Sequence, residues 1–245
     1  MAELFGFTIA RKKTEDEQEK LPSIVSPTVE DGSVEIAPGG AYGTYVDLEA
    51  KAKNESDLVS KYREMSIQPE ADYAIQDIVN EAIVVDENSG PCEIVLDKLK
   101  QPATIKKKIR EAYRDIFDML DFQNNAYDIF RKWYIDGRLY HHLVVNESNL
   151  KAGIVEIRPI DASKMRKVKQ VKRKKDPTTG ANLIEKVDEY YIYQENPNSR
   201  GYGMGSSISG YSSGVKMSLD SISYITSGLL DETRKKVLGF LHKAL

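Results

Sequence analysis

Phe130-Arg131-Lys132-Trp133-Tyr134-Ile135-Asp136-Gly137-Arg138-Leu139-Tyr140-His141 is the stretch in which the chain changes its period. Up to it, Ala126, Ile129, Phe130 and Trp133 recur at three and four residues, the spacing of one helical face. The plain role of Ile129, Phe130 and Trp133 is therefore core packing. Gly137 stands just past that face, where a residue without Cβ accepts the left-handed backbone that closes a helix. From Arg138 to Val145 the pattern becomes that of a strand. The passage predicts a helix-to-strand junction, and the rest of the chain sorts itself on either side.

Upstream the sequence reads as helices. Ala71, Ala74, Ile75, Ile78, Val79, Ala82 and Ile83 form the cleanest amphipathic helix, with Pro69 suited to its first position. A short helix from Ser56, carrying Leu58, Tyr62 and Met65, precedes it. Another follows from about Ala103 to Leu120, with Ile105, Ile109, Tyr113, Ile116, Phe117 and Leu120 on one stripe. Between them, Glu93-Ile94-Val95-Leu96 reads as a short strand. Residues 1–54 are charged and then rich in Pro and Gly, with few large aliphatics, and predict an extended, partly disordered arm.

Downstream the chain is β-rich. Gly153 to Ile157 reads as a strand, and Met165 to Lys172 with Leu183 to Tyr193 as the two arms of a hairpin. Residues 196–214, dense in Gly and Ser, predict a long flexible loop. A strand pair around residues 215–217 and 221–225 closes the sheet. From Asp231 a helix is expected, with Val237, Leu238, Leu241 and Leu245 on one face. It meets no stop signal before the sequence ends, so a truncated helix, and a fragment of a longer chain, is expected. The fold class is α+β: an arm over 1–54, a helical layer followed by an antiparallel sheet over 55–230, and the start of a truncated helix over 231–245.

With 245 residues, 40% of them apolar, the chain is long enough to bury a core. Its net charge of -3, from 35 basic and 38 acidic side chains, excludes a uniformly basic nucleic-acid coat but leaves local patches open. No stretch approaches the ~18 apolar residues of a membrane-spanning helix. The apolar start is followed at once by Arg11-Lys12-Lys13 and reads as a docking arm rather than a secretory signal. The single Cys92 cannot form an intrachain disulfide or a thiolate metal site, and cytoplasmic folding is expected. The 14 Tyr hint at contact surface.

Catalytic chemistry finds no foothold. His141 and His142 point to opposite faces of one strand and cannot share an ion, so they and His242 read as structural, and no metal is expected. Gly201-Tyr202-Gly203-Met204-Gly205-Ser206-Ser207 lacks the Lys and the following helix of a phosphate cradle. No Gly-x-Ser-x-Gly elbow is present, and no spacing isolates a carboxylate pair. No cofactor, no small-molecule substrate and no enzymatic activity are expected.

One segment stands apart. Lys164, Arg166, Lys167, Lys169, Lys172, Arg173, Lys174 and Lys175 put eight positive charges in twelve residues without an acid. This is a candidate contact for DNA backbone or for another subunit. As a DNA contact it is outweighed by the plainer reading, a solvated hairpin. With the turn centred between Thr178 and Thr179, Lys172 faces Glu185 and Lys169 faces Asp188, so the returning strand neutralises part of the charge. No aromatic is interleaved, which argues against stacking on single strands.

The Phe130–His141 block strongly resembles the portal vertex protein of contractile-tailed phages of the T-even and cyanophage type. Ala74-Ile75 with Ile78-Val79-Asn80-Glu81-Ala82-Ile83, then Gly153-Ile154-Val155-Glu156-Ile157-Arg158-Pro159-Ile160-Asp161, look like the same family in the same order. So do Thr226-Ser227-Gly228-Leu229 and Leu238-Gly239-Phe240-Leu241-His242-Lys243-Ala244, while Leu4-Phe5-Gly6-Phe7 is similar to the cyanophage branch. Family members often carry Pro where Ala162 stands, and are roughly twice this long, a size that splits into several domains.

The resemblance implies the peripheral wing region and N-terminal arm of a portal subunit, without the channel-forming helices. It implies a ring of twelve copies at one capsid vertex, in a virion assembled in the host bacterial cytoplasm. Such a ring nucleates head assembly with the major capsid and scaffold proteins, docks the terminase packaging motor, passes double-stranded DNA and later holds the neck and tail. The competing expectation is a stand-alone DNA-binding or assembly adaptor that uses the basic hairpin at 164–175.

Overall fold

The structure, a computed structural model, describes residues 2–4, 7–9, 31–36, 43–84, 90–146, 148–149, 152–175, 177, 180–195, 214–232 and 236–245, with side chains of 2–4, 7–9, 34–36 and 43–54 excepted. Most of the Gly/Ser-rich loop at 196–214 and much of the arm at 1–54 lie outside the described residues. The elements run β1 (Ala2–Leu4), β2 (Phe7–Ile9), β3 (Val34–Ile36), α1 (Gly43–Ser66), α2 (Pro69–Ala82), α3 (Ala103–Met119), α4 (Phe122–Asp136), β4 (Arg138–Val145) and β5 (Ile154–Ile160). They continue with β6 (Met165–Lys175), β7 (Asn182–Tyr193), β8 (Val215–Met217), a 3-10 turn at Leu219–Ser221, β9 (Ile222–Thr226) and a 3-10 helix at Phe240–Ala244.

The chain is α+β, with a helical layer followed by sheet. β4 is the centre of a three-stranded antiparallel sheet in the order β5-β4-β9. A four-stranded sheet runs β3-β6-β7-β8, and within it β3 lies parallel to β6, pairing Val34 with Val168 and Ile36 with Gln170. A small β1–β2 hairpin is separate. Part of the expected arm is therefore ordered. β3 completes a sheet, and α1 starts at Gly43, well ahead of the expected helix start at Ser56.

The junction forms as the sequence requires. Gly137 adopts φ 71 and its N–H donates to the Trp133 carbonyl at 2.9 Å, closing α4. A Cβ on Gly137 would meet the Leu238 carbonyl oxygen and the Gly239 Cα at 2.7 Å, so the C-terminal segment lies against bare backbone. At the other end of α4, Asp121 takes the left-handed conformation, φ 45, and accepts from the Asn124 and Asn125 side-chain amides at 2.8 and 3.2 Å. Those bonds hold the break between α3 and α4 in a residue that lacks glycine's freedom.

Two clusters form the core, and α1 belongs to both. Val59 packs with Tyr140, Ala162, Met165, Tyr191 and Ile222 on the sheet side. Tyr62, one turn further, packs with Ile75, Val79 and Ile135 among the helices. Residues three apart share a helical face, so one stripe of α1 joins the two halves.

Three further expectations are corrected. The strands at 215–217 and 222–226 do not pair with each other: β8 lies against β7 and β9 against β4, in different sheets. Glu93–Leu96 is not a strand: among the described residues no partner strand reaches it, Val95 is 74% exposed, and the Tyr113 hydroxyl holds the neighbouring Cys92 carbonyl at 3.0 Å instead. The helix expected from Asp231 starts later and is shorter. Leu230 bridges Val237 in antiparallel fashion, Leu238 N–H donates to the Leu229 carbonyl at 2.9 Å, and among the described residues of 231–245 helical geometry is confined to the 3-10 turns at Phe240–Ala244. The Arg138 guanidinium captures the Val237 carbonyl. That tertiary bond and the Gly137–Gly239 contact override the helical spacing of Val237, Leu238, Leu241 and Leu245.

Candidate interaction surface: a basic ribbon and its acidic clamp

β6 and β7 pair along their whole length, from Met165 with Tyr193 to Lys175 with Asn182. The register expected from a turn between Thr178 and Thr179 holds at the tip, where Arg173 faces Ile184. A bulge then leaves Glu185 as an extra residue on β7. Below it the pairing moves by one, so Lys172 faces Lys186 and Lys169 faces Glu189 rather than Glu185 and Asp188. A single inserted residue changes which acid meets which base along the rest of the strand.

The eight cations divide into two groups. Arg166 and Lys169 are buried, while Lys164 and Lys167 are half-buried. Lys167 Nζ lies 2.6 Å from Asp31 and 3.0 Å from Glu189, and Lys169 Nζ lies 3.0 and 3.8 Å from the same two carboxylates. Burial pushes the Asp31 carboxyl upward, but hydrogen bonds from Lys167, Ser33 and Lys169 outweigh it and hold the group well below the usual carboxylate range. Asp31, just ahead of β3, is thus an acidic clamp that fixes the parallel strand to β6. Sequence reading missed it because the pairing spans more than a hundred residues and Asp31 sits in a stretch without periodicity.

Lys172, Arg173, Lys174 and Lys175 are all exposed. Among the described residues β3 pairs β6 only at 168–170 and β8 pairs β7 only at 191–193, and none of them flanks the ribbon as a further strand beyond Val171. Lys172 lies 3.6 Å from Asp188, which Lys186 also approaches at 2.7 Å. Of the eight residues, the four at the tip are exposed to solvent; those at the base are buried or half-buried.

Other charged groups serve packing. Arg63 on α1 grips Asp136 at the end of α4 at 2.7 Å and Asp161 after β5 at 2.9 Å. Burial raises the Asp161 carboxyl, yet the Arg63 and Ser163 hydrogen bonds prevail and lower it to about 2. Arg138 and Glu55 form a buried pair 3.5 Å apart. Desolvation pushes Glu55 up against the pull of Arg138 and Arg166. The Nε and one Nη of Arg166, the Nε of Arg138 and the indole N–H of Trp133 are buried without a hydrogen-bond partner among the described residues.

His141 is buried and burial lowers its pKa below 6.5, while His242 meets the Tyr62 hydroxyl at 3.0 Å through Nδ1. Among the described residues no group of His, Cys, Asp and Glu is arranged to hold a metal, and no helix is long and apolar enough to cross a membrane.

The arrangement is an exposed, basic two-stranded tip carried by an α+β body. Residues 55–245 match the family model described as Bacteriophage T4-like portal protein (Gp20). The chain is 31% identical over 242 residues to the portal protein of Salmonella phage ViI, covering 97% of this chain and 43% of that one. It is 29% identical over 191 residues to the portal protein of Vibrio phage KVP40, covering 77% of this chain and 36% of that one. The chain belongs to the T4-like portal protein family, and its role there is structural. It spans less than half the length of these curated relatives.

Proposed function

We propose that this chain is the wing part of a portal subunit that assembles as a ring of twelve at one capsid vertex. Double-stranded DNA passes through the ring during packaging and ejection, and the ring nucleates head assembly and joins head to tail. The terminase motor, the major capsid and scaffold proteins and the neck and tail are its partners. It performs no chemistry of its own and is assembled in the host bacterial cytoplasm. The observation that carries this reading is the family match across residues 55–245, from the second half of α1 to the C-terminal 3-10 helix.

The fold adds physical support. Blocks that are distant in sequence meet around Gly137. α2 packs on α4, Ser227 N–H donates to the Gly137 carbonyl at 2.7 Å, and Phe240 stacks on Tyr134 at 4.8 Å and meets Trp133 edge-on at 5.1 Å. Such residues form a rigid body, as expected of a load-bearing subunit. The test is position in the particle. Antibody against an exposed epitope of the full-length protein is expected to label purified virions at a single vertex; label spread over the shell, or absent from it, contradicts the proposal.

A further inference from the structure

α2 carries four acids, Glu70, Asp72, Asp77 and Glu81, and no base. Its buried face is set by Ile75 and Val79, which are 1% and 0% exposed. Turning 100° per residue places Glu70, Tyr73, Asp77 and Glu81 on the opposite side, and Val84 continues that side past the helix end. All five are exposed, Tyr73 at 69% and Val84 at 63%. Asp72 lies on the flank and is already taken by Arg131 at 2.6 Å. Glu70, Asp77 and Glu81 make no ion pair with the described residues. The outer face of α2 is thus an aromatic ring among three exposed carboxylates that no cation of the described residues pairs.

The ribbon tip is its chemical complement. Lys172, Arg173, Lys174 and Lys175 are exposed, and Lys174 and Lys175 make no ion pair with the described residues. The two surfaces belong to different parts of one chain: α2 packs on α1 and α4, the ribbon on β3 and β8. We propose that the ribbon tip of one subunit docks on the outer face of α2 of a second copy, with Tyr73 receiving a cation from the tip against its ring. Donor and acceptor patches differ, so the contact is head-to-tail, the geometry that closes a ring. The inference rests on the ring reading and names its surfaces. Duplex DNA is the other acidic partner the tip can meet, but it leaves the acidic and aromatic face of α2 without a role.

The experiment is a reciprocal charge swap in the full-length protein. Variant one carries K172E, R173E, K174E and K175E; variant two carries E70K, D77K and E81K. Assembly is followed by analytical ultracentrifugation at low and moderate salt. Each variant alone is expected to assemble at least about tenfold less well than the parent, and an equimolar mixture or the combined variant to recover, because like charges across an interface repel and swapped ones attract. Recovery cannot arise from misfolding. Assembly that is unaffected by either swap, or lost in both without recovery in combination, overturns the contact while leaving ring formation by the parent intact. A tip swap that changes only DNA binding assigns the tip to DNA and also overturns it. A parent protein that stays monomeric removes the ring reading itself, and the contact with it.

Discussion

At Gly137 a single methyl group would meet the backbone of Leu238 and Gly239 at 2.7 Å, and Gly137 also needs a positive φ. Gly137→Ala is therefore expected to cost at least about 2–4 kcal/mol, the sum of left-handed strain and a backbone clash, read as a lower urea midpoint. A loss below about 1 kcal/mol would mean that the C-terminal segment is not seated there. Glu55 makes a second case. It is the counter-charge nearest the buried Arg138 guanidinium, and Arg166 also pulls on it. Glu55→Ala should cost about 3–5 kcal/mol, because it leaves buried positive charge uncompensated. Tyr62→Phe, which removes only the hydroxyl bonded to His242, should cost about 1 kcal/mol. The ordering of these two in thermal melts is the check.

Among elements, the attachment of β3 to β6 depends on ionisation. Asp31 is held below its ordinary 3.8 by Lys167, Ser33 and Lys169 once burial is overcome, so its contribution is fully present above pH 3.8 and fades as pH falls further. Asp161, lowered to about 2, acts in the same direction on the α1–α4–β5 corner. Protection of the Val34–Ile36 amides, measured against their intrinsic exchange rates at each pH, is expected to fall on acidification below pH 4, and Asp31→Asn should show the reduced protection already at neutral pH. Equal protection of β3 in both proteins at pH 7 contradicts the clamp. Elements with local signals were legible in the sequence: the spacing of α2, the Gly137 junction, and the strand from Arg138. The parallel strand β3 was not, because its three residues sit among Pro and Gly and find their partner far along the chain. Residues 231–245 misled for the converse reason. Their helical spacing is real, but Arg138 and Leu229 hold that backbone in other bonds and Gly137 lies close against it.

Across the whole molecule, one body joins helices to sheet through α1, and the charged ribbon extends from it. Sequence reading found the ribbon and all eight of its cations. It did not separate the four internal ones from the four at the tip, since that division depends on Asp31, Glu189 and the bulge at Glu185. The acidic face of α2 is not distinguishable in sequence from an ordinary solvated helix surface, because its acids are spaced as any exposed face would be. The family-like blocks were legible as words but not as architecture, since the contacts of α2, Ser227 and Phe240 around α4 and Gly137 span up to a hundred residues. The central claim, that the chain works as a subunit of a closed portal ring, is tested most directly by native mass spectrometry of the full-length protein. A single dominant species of twelve subunits is expected. A monomer, or an open series of oligomers without a preferred size, would contradict it.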